Sequence, residues 1–187
     1  MRTSDIEYYK KALDEIAHII ETDIDGNITY VNDKVCELTK YTREELIGRN
    51  NRIFKTGYHN EDFYNKMYKE LTEGKIFKAR FRNKAKDGTF FWLDATIIPF
   101  MDDNNQPYKY LTVRFDITEK INAIEQKELF LANITHDIRT PLHGILGIID
   151  ILKTTPLNDE QHEHLQQLEL ASEHIKNIVN DLLDLFK

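Results

Sequence analysis

The sequence predicts an α+β domain with a five-stranded antiparallel sheet, joined by a long coiled-coil helix to an all-α helical hairpin. Three observations lead to this prediction. Two strand-like runs and, further along the chain, three more are separated by turns and short helical patterns. Apolar residues then recur at alternating spacings of four and three over several heptads. After a break around Pro156, a second segment repeats the same spacing.

The β-rich part contains five predicted strands, over residues 19–23, 28–32, 76–83, 89–100 and 108–116. Gly26 supplies the turn of a hairpin between the first two strands. Helical patterns cover residues 4–17 and 60–71, and Thr42 with Glu45 forms a capping box that opens a short helix between them. Two strands, short helices and then three strands predict helices packed to one side of the sheet.

A long helix is predicted over residues 118–153, and a second one begins near Asn158. Asn158 is the predicted N-cap of this helix, and Gln161, three residues later, is placed to complete a capping box with it. The first apolar stripe contains Ile117, Ile121, Ile124, Leu131, Ile138, Leu142, Ile145, Ile149 and Leu152, with Glu128 and Thr135 as polar interruptions. The second contains Leu165, Leu168, Ile175, Val179, Leu182 and Phe186, with Ser172 in the gap. The stripe of such a hairpin is wide enough to need a second copy, so a parallel homodimer with a four-helix core is predicted.

Composition excludes several classes of protein. The chain of 187 residues carries a net charge of -7, which argues against a nucleic-acid-binding surface. It contains no apolar run of about 18 residues or more and no signal peptide, so we expect no membrane segment and a cytoplasmic location. The single cysteine, Cys36, excludes internal disulfides and thiolate metal cages, and no metal site is predicted.

His136 is the candidate reactive residue. It falls beside the apolar stripe, so its imidazole is predicted to reach solvent while its backbone is held in the helix. A neutral imidazole keeps one ring nitrogen free to attack a phosphorus atom. Asp137, the next residue, is a candidate acid or base that orients the ring, and Thr140 lies one turn further along the same face.

Pro141 follows this group and predicts a soft point in the helix. Proline has no amide proton, so the carbonyl of Asp137 loses its helical partner and the helix is expected to bend. Gly144 and Gly147 each weaken the helix further, by about 1 kcal/mol relative to alanine. An ordinary surface histidine on an amphipathic helix is the alternative interpretation of His136, but it leaves Pro141 unexplained.

The run from Thr135 through His136, Asp137, Arg139, Thr140 and Pro141 to Leu142 resembles the phosphoacceptor box of sensor histidine kinases, in their dimerization and histidine phosphotransfer hairpin. The resemblance implies that His136 is the phosphoacceptor, that Asp137 is its acid or base, and that Thr140 positions a water for dephosphorylation of a response regulator. It implies two partners, a response-regulator receiver domain and a separate ATP-binding domain. Without the latter, this chain alone is expected to be inactive with ATP. A non-enzymatic dimeric scaffold and a stand-alone phosphorelay protein stay open as alternatives.

Residues 14–118 resemble a PAS sensor domain, preceded by a helical lead-in over 1–13 and followed by a signalling helix and hairpin over 119–187. The motifs that carry the likeness are residues 25–32, 41–48, 86–89 and the triplet Asp116-Ile117-Thr118. The family's pocket lies on the helix side of the sheet, and Phe81, Trp92 and Phe115 are candidates to line it. A filled core is the alternative.

Residues 48–54 are similar to the light-sensing LOV branch of the family, but Asn51 stands where that branch carries a flavin-bonding cysteine. A cysteinyl adduct is therefore excluded, whereas non-covalent flavin stays open. Neither His18 nor His59 matches the axial ligand of heme-binding relatives, so heme is the less favoured cofactor. The stimulus, the cognate regulator and the choice between phosphorylation within or between subunits do not follow from the residues.

Overall fold

The computed structural model describes residues 3–184, with the backbone alone for residues 3, 4, 6 and 182–184. The chain divides into two compact units between Ile121 and Asn122. None of the helices within the described range is both long enough and apolar enough to cross a membrane.

In the part of the first unit that the structure describes, there are four helices, one turn of 3-10 helix and five strands. Its elements are α1 (Thr3–Ile16), β1 (His18–Thr22), β2 (Ile28–Val31), α2 (Asp33–Thr39), α3 (Arg43–Leu46), the 3-10 turn (Asn51–Phe54), α4 (Glu61–Thr72), β3 (Phe77–Lys84), β4 (Phe90–Met101) and β5 (Pro107–Asp116). The five predicted strands are confirmed, with their ends displaced by no more than one residue. Helix α2 and the 3-10 turn were not predicted.

The strands form one antiparallel sheet in the order β2-β1-β5-β4-β3. The predicted hairpin at Gly26 is present, and this glycine has a φ of 84°, a conformation that glycine adopts without steric cost. β1, the first strand along the chain, therefore pairs with β5, the last one. β5 lies at the centre of the sheet, between β1 and β4.

One face of the sheet packs against the helices. Along β4 the buried residues alternate with more exposed ones, so that Phe91, Leu93, Ala95 and Ile97 point to the helix side. Met67 and Leu71 of α4 pack on Ile97 and on Tyr110 of β5, while α2 and α3 pack on β1 and β2. The predicted α+β arrangement, with helices on one side of the sheet, is confirmed.

The second unit is a pair of helices. Helix α5 runs without interruption from Thr118 to Lys153, and α6 runs from Asp159 to Asp184. Asn158 and Gln161 exchange the two hydrogen bonds of the predicted cap, at 2.8 and 3.0 Å. The buried positions repeat every seven residues on both helices: Thr135, Leu142 and Ile149 on α5, and Leu165, Ser172 and Val179 on α6. Phe186 and the side chain of Leu182, which were predicted to extend this stripe, lie outside the described residues.

Candidate functional site

His136 occupies an outward position in the middle of α5. Its side chain is 79% exposed, whereas the preceding residue, Thr135, is buried and donates a hydrogen bond to the carbonyl of Leu131 at 2.7 Å. The backbone is thus held in the helix while the imidazole projects into solvent, as predicted. Such a side chain can meet a large partner without any rearrangement of the helix.

Asp137 lies close enough to influence the imidazole. Its Oδ1 is 3.5 Å from Nδ1 of His136, at the outer limit of hydrogen-bonding distance, and its side chain is also exposed. In this arrangement a proton on Nδ1 points to the carboxylate, so the lone pair of the second ring nitrogen, Nε2, is free for a nucleophilic attack. Because water screens both groups, the contact orients the ring more than it stabilises the fold.

Thr140 completes the exposed group one turn later. Its hydroxyl donates a hydrogen bond to the carbonyl oxygen of His136 at 3.3 Å, and this bond fixes the hydroxyl on the histidine side of the helix. The two lone pairs of the hydroxyl oxygen stay available to accept a hydrogen bond from water. The structure therefore brings together the three residues that the sequence singles out, on one solvent-facing side of α5.

Pro141 lies within α5, and the helix continues through it. A methyl group built at Gly144 or at Gly147 would meet no atom within 4 Å. The absence of a side chain at these two positions is therefore not required by packing within the described hairpin. A role as a soft point in the helix stays a prediction for all three residues.

The first unit contains a cavity of about 420 Å³, partly open to solvent, between the inner face of the sheet and α4. Its lining includes the apolar or aromatic residues Met67, Leu71, Phe81, Ile97 and Tyr110 and the polar residues Thr22, Asn51, Thr112 and Arg114. The volume lies within the range of about 300–1,000 Å³ that is usual for small-molecule sites. This cavity lies in the same domain as a filled core, whose fully buried side chains include Ile20, Val31 and Leu46.

Two of the three residues predicted to line the cavity lie elsewhere. Phe81 lines it, but Trp92 and Phe115 do not. Phe81 pairs across the strands with the buried Leu93, whereas Trp92 directly precedes Leu93 on β4 and so points to the opposite face, and its ring meets that of Tyr58. Phe115 follows the inward-pointing Arg114 on β5 and is exposed for the same reason.

Two polar residues of the lining, Arg114 and Asn51, contact each other. Arg114 is 6% exposed, and its Nη2 donates a hydrogen bond to Oδ1 of Asn51 at 3.2 Å. Burial lowers the pKa of the Arg114 guanidinium to about 10, so the group is still charged at neutral pH. Sequence reasoning missed Arg114, because a charge within a predicted strand indicates a buried residue only once the inward side of that strand is known.

The two histidines of this unit do not line the cavity. Burial lowers the pKa of His18, whose Nδ1 lies 3.4 Å from the carbonyl oxygen of Arg114. His59 stacks on Phe63 at 3.8 Å, and its Nε2 lies 2.8 Å from the carbonyl oxygen of Arg80. Both rings are therefore engaged in local contacts, and the lining offers no axial histidine to a heme.

Comparison with known families identifies both units. A PAS domain model matches residues 16–119, more than half of the chain. The chain belongs to the PAS domain family. A second model, for the His Kinase A (phospho-acceptor) domain, matches residues 126–187, and His136 lies inside that match. A PAS domain is thus followed by a phosphoacceptor domain, as the resemblance implied.

The relatives of this PAS protein include histidine kinases much longer than it. Hybrid signal transduction histidine kinase L of Dictyostelium discoideum is 31% identical over 176 residues, which cover 88% of this chain and 10% of that protein. Two-component system protein A of Emericella nidulans is 31% identical over 196 residues, covering 97% of this chain and 28% of that protein. The chain therefore spans only a minor part of the length of these relatives.

Solved structures share the fold of the PAS domain. The PAS domain of a protein from Colwellia psychrerythraea has a TM-score of 0.55 at 23% identity, covering 61% of this chain and 98% of that one. The LOV domain of a blue-light activated histidine kinase from Erythrobacter litoralis has a TM-score of 0.50 at 21% identity, with coverages of 55% and 96%. These likenesses establish the five-stranded fold with its flanking helices.

Proposed function

We propose that this chain is the sensor and phosphoacceptor part of a two-component histidine kinase. His136 accepts a phosphoryl group from an ATP-binding domain and passes it to an aspartate of a response-regulator receiver domain. The observation that carries the proposal is the exposed imidazole of His136, in contact with Asp137, within the matched phosphoacceptor domain. The histidine kinases among the relatives support the same assignment.

The chemistry follows from the arrangement of the three side chains. Nε2 of the neutral ring attacks the γ-phosphorus of ATP, a bond forms between nitrogen and phosphorus, and the bond to the departing ADP oxygen breaks. The proton on Nδ1 passes to Asp137, so the phosphorylated ring ends neutral. In the second transfer, a carboxylate oxygen of the regulator forms a bond to phosphorus, the bond from phosphorus to Nε2 breaks, and the proton returns from Asp137 to Nδ1, so that the ring leaves as neutral imidazole. When the kinase acts as a phosphatase, Asp137 and Thr140 position a water molecule that hydrolyses the phosphoryl group of the regulator.

A second copy of the chain completes the phosphoacceptor domain in this proposal. Beside the buried positions of the hairpin, a second series of apolar side chains is exposed in the single chain. It contains Ile138, Ile145 and Leu152 on α5 and Leu168 and Ile175 on α6. Two such series brought together would form a parallel dimer with a four-helix core. This burial would remove from water the apolar surface that a single hairpin leaves exposed.

The proposed sensor input is a ligand of the PAS cavity. Non-covalent flavin is one candidate, because Asn51, Asn65 and Asn83 place amide groups around the cavity that could bind the edge of a flavin ring. A bound flavin would supply sensitivity to redox state or light. A thiol adduct does not fit, because Asn51 replaces the cysteine and Cys36 is not among the lining residues. The absorption spectrum of the purified protein tests this candidate directly.

The test of phosphotransfer uses radiolabelled ATP and an active ATP-binding domain added in trans. Label is expected on the wild-type chain and absent from His136→Gln. His143→Gln is the matched control, because His143 is a second exposed histidine seven residues further along the same helix. Label that persists in His136→Gln, or that is lost in His143→Gln instead, would assign the phosphoacceptor to another residue.

A further inference from the structure

Arg114 is a buried charge for which the fold provides little compensation. It lies on the central strand β5, points to the helix side of the sheet and is 6% exposed. Its one hydrogen bond to another side chain is that to Asn51. Among the side chains that the structure describes, no carboxylate forms an ion pair with it. Glu61 lines the same cavity but makes no salt bridge to Arg114.

Such an arrangement is unusual for a residue that serves only the fold. Buried charges are as a rule paired, because removing a charge from water without a counter-charge is costly. A guanidinium carries five N–H donors in a planar fork, and the bond to Asn51 uses one of them. The group stays protonated at neutral pH, since burial lowers its pKa only to about 10.

The rest of the cavity indicates what the charge could serve. Thr22, Asn51 and Thr112 line the cavity with hydroxyl and amide groups, and Met67, Leu71 and Ile97 contribute apolar surface, with Ile97 directly across the strands from Thr112. The charged residues Arg52, Lys55 and Glu61 line it as well. The guanidinium fork matches the geometry of carboxylate and phosphate oxygens. We propose that the cavity binds a small organic anion, with its carboxylate or phosphate group paired to Arg114 and its apolar body against α4 and β4.

Asn51 acts in this proposal as a positioning residue. Its Oδ1 accepts a hydrogen bond from Nη2 of Arg114, which orients the plane of the guanidinium fork. Asn51 begins the 3-10 turn that Asn50 caps, and its backbone amide donates a hydrogen bond to the carbonyl of Gly26 at 2.8 Å, so the position of its backbone is fixed. The inference deepens the proposed function, because it names the chemical class of the signal, but binding of the anion does not depend on phosphotransfer.

Calorimetric titration of the purified chain tests the proposal with three matched probes. These are 3-phenylpropionate, 3-phenylpropylphosphonate and the neutral 3-phenylpropionamide. The two anions are expected to bind about tenfold more tightly than the amide, since a hydrogen bond to a charged group contributes at least that much. The comparison of carboxylate with phosphonate then distinguishes the two possible headgroups.

Arg114→Gln should abolish the preference for the anions, whereas Arg114→Lys should retain part of it. Arg82→Gln is the control for net charge, because Arg82 lies on β3 with its guanidinium over the ring of Phe90 and does not line the cavity. Equal binding of anions and amide by the wild-type chain would overturn the proposal. So would an anion preference that survives in Arg114→Gln.

The stability of the ligand-free chain gives a second readout. If the charge of Arg114 serves a ligand, Arg114→Gln should leave the Tm unchanged or raise it, because an uncompensated buried charge is removed. Added 3-phenylpropionate should raise the Tm of the wild-type chain and not that of Arg114→Gln. A fall in Tm for the ligand-free variant, with no anion preference in the wild type or Arg114→Lys, would mean a structural arginine. Loss of phosphotransfer with anion binding intact would reject only the proposed function.

Discussion

Asn32 connects four elements of the first unit through a single buried side chain. Its Oδ1 accepts hydrogen bonds from the backbone amides of Ile19 and Val35, at 3.0 and 3.4 Å. Its Nδ2 donates to the carbonyls of Asp14 and Ala17, at 3.2 and 2.7 Å. The end of α1, the start of β1, the end of β2 and the cap of α2 are thereby held together. No side chain with only one hydrogen-bonding function could replace this amide.

Asn32→Ala is expected to destabilise the chain by about 3 kcal/mol, because several buried backbone groups would lose their partner at once. Urea denaturation followed by circular dichroism measures this as a lower midpoint. Asn104→Ala, in the exposed turn between β4 and β5, is the control and should change the free energy of unfolding by less than about 0.5 kcal/mol. Equal effects of the two substitutions would contradict the role assigned to Asn32.

Substitutions of Asp137 and Thr140 are expected to affect different reactions, the phosphorylation of His136 and the dephosphorylation of the regulator. Asp137→Asn removes the proton acceptor beside Nδ1 and should slow phosphorylation of His136 by about a hundredfold or more. Thr140→Ala leaves this pair intact, so phosphorylation should persist while dephosphorylation of the regulator is lost. Rates of labelling of the chain and of loss of label from a regulator measure the two effects. The assignment fails if Thr140→Ala impairs phosphorylation as strongly as Asp137→Asn.

The exposure of single residues could be predicted only where the pattern is unambiguous. His136 was placed correctly, because the heptad spacing assigns each residue of a long helix to a side. Trp92 and Phe115 were placed wrongly, because the side of a strand residue changes with every step and aromatic character does not reveal which side is inward. Arg114 was missed for a related reason: a buried arginine can be recognised only once the register of β5 is known.

At the level of elements, the local signals were the ones that predicted well. The capping box of α3 is present, with Thr42 accepting from the amide of Glu45 and Glu45 accepting from that of Thr42. Such caps involve residues three apart, so they can be found without knowledge of the fold. Helix α2 was missed because its seven residues are too few for an apolar period, although Asn32 caps it.

The soft point of α5 leads to a prediction about a whole element. Pro141→Ala restores a backbone donor and should stabilise the helix by up to about 3 kcal/mol. Gly144→Ala should stabilise it by about 1 kcal/mol, because an added methyl group meets no neighbour within 4 Å. Thermal denaturation measures both. If bending at this point controls the output, Pro141→Ala should also change the ratio of kinase to phosphatase activity.

Gly144→Ala provides a reference for that ratio. It stiffens the same helix three residues further on and leaves the proline in place. An unchanged ratio in Pro141→Ala, despite a higher Tm, would exclude control by this residue. A ratio that changes equally in both variants would assign the effect to helix stiffness in general.

At the scale of the molecule, the distribution of apolar surface argues for assembly. The hairpin buries one heptad series between its helices and leaves the adjacent series exposed, as the side chain of Ile145 illustrates at 46% exposure. The sequence predicted both series as one stripe, because periodicity reports that a face is apolar and not which partner covers it. The sequence did not decide between a cavity and a filled core in the PAS domain. The volume of a cavity depends on how side chains from distant strands pack together.

Ile145→Glu is expected to convert the proposed dimer into a monomer. It would place two carboxylates near each other in an apolar core, at a cost of about 3 kcal/mol or more, which corresponds to a Kd roughly a hundredfold higher. Sedimentation equilibrium over a range of concentrations measures that change. Ile151→Glu is the matched control, because Ile151 lies on the same helix, is 65% exposed and falls outside the apolar stripe. A dimer that tolerates Ile145→Glu but not Ile151→Glu would place the interface on the side of α5 that carries Ile151 and would contradict the proposed four-helix core.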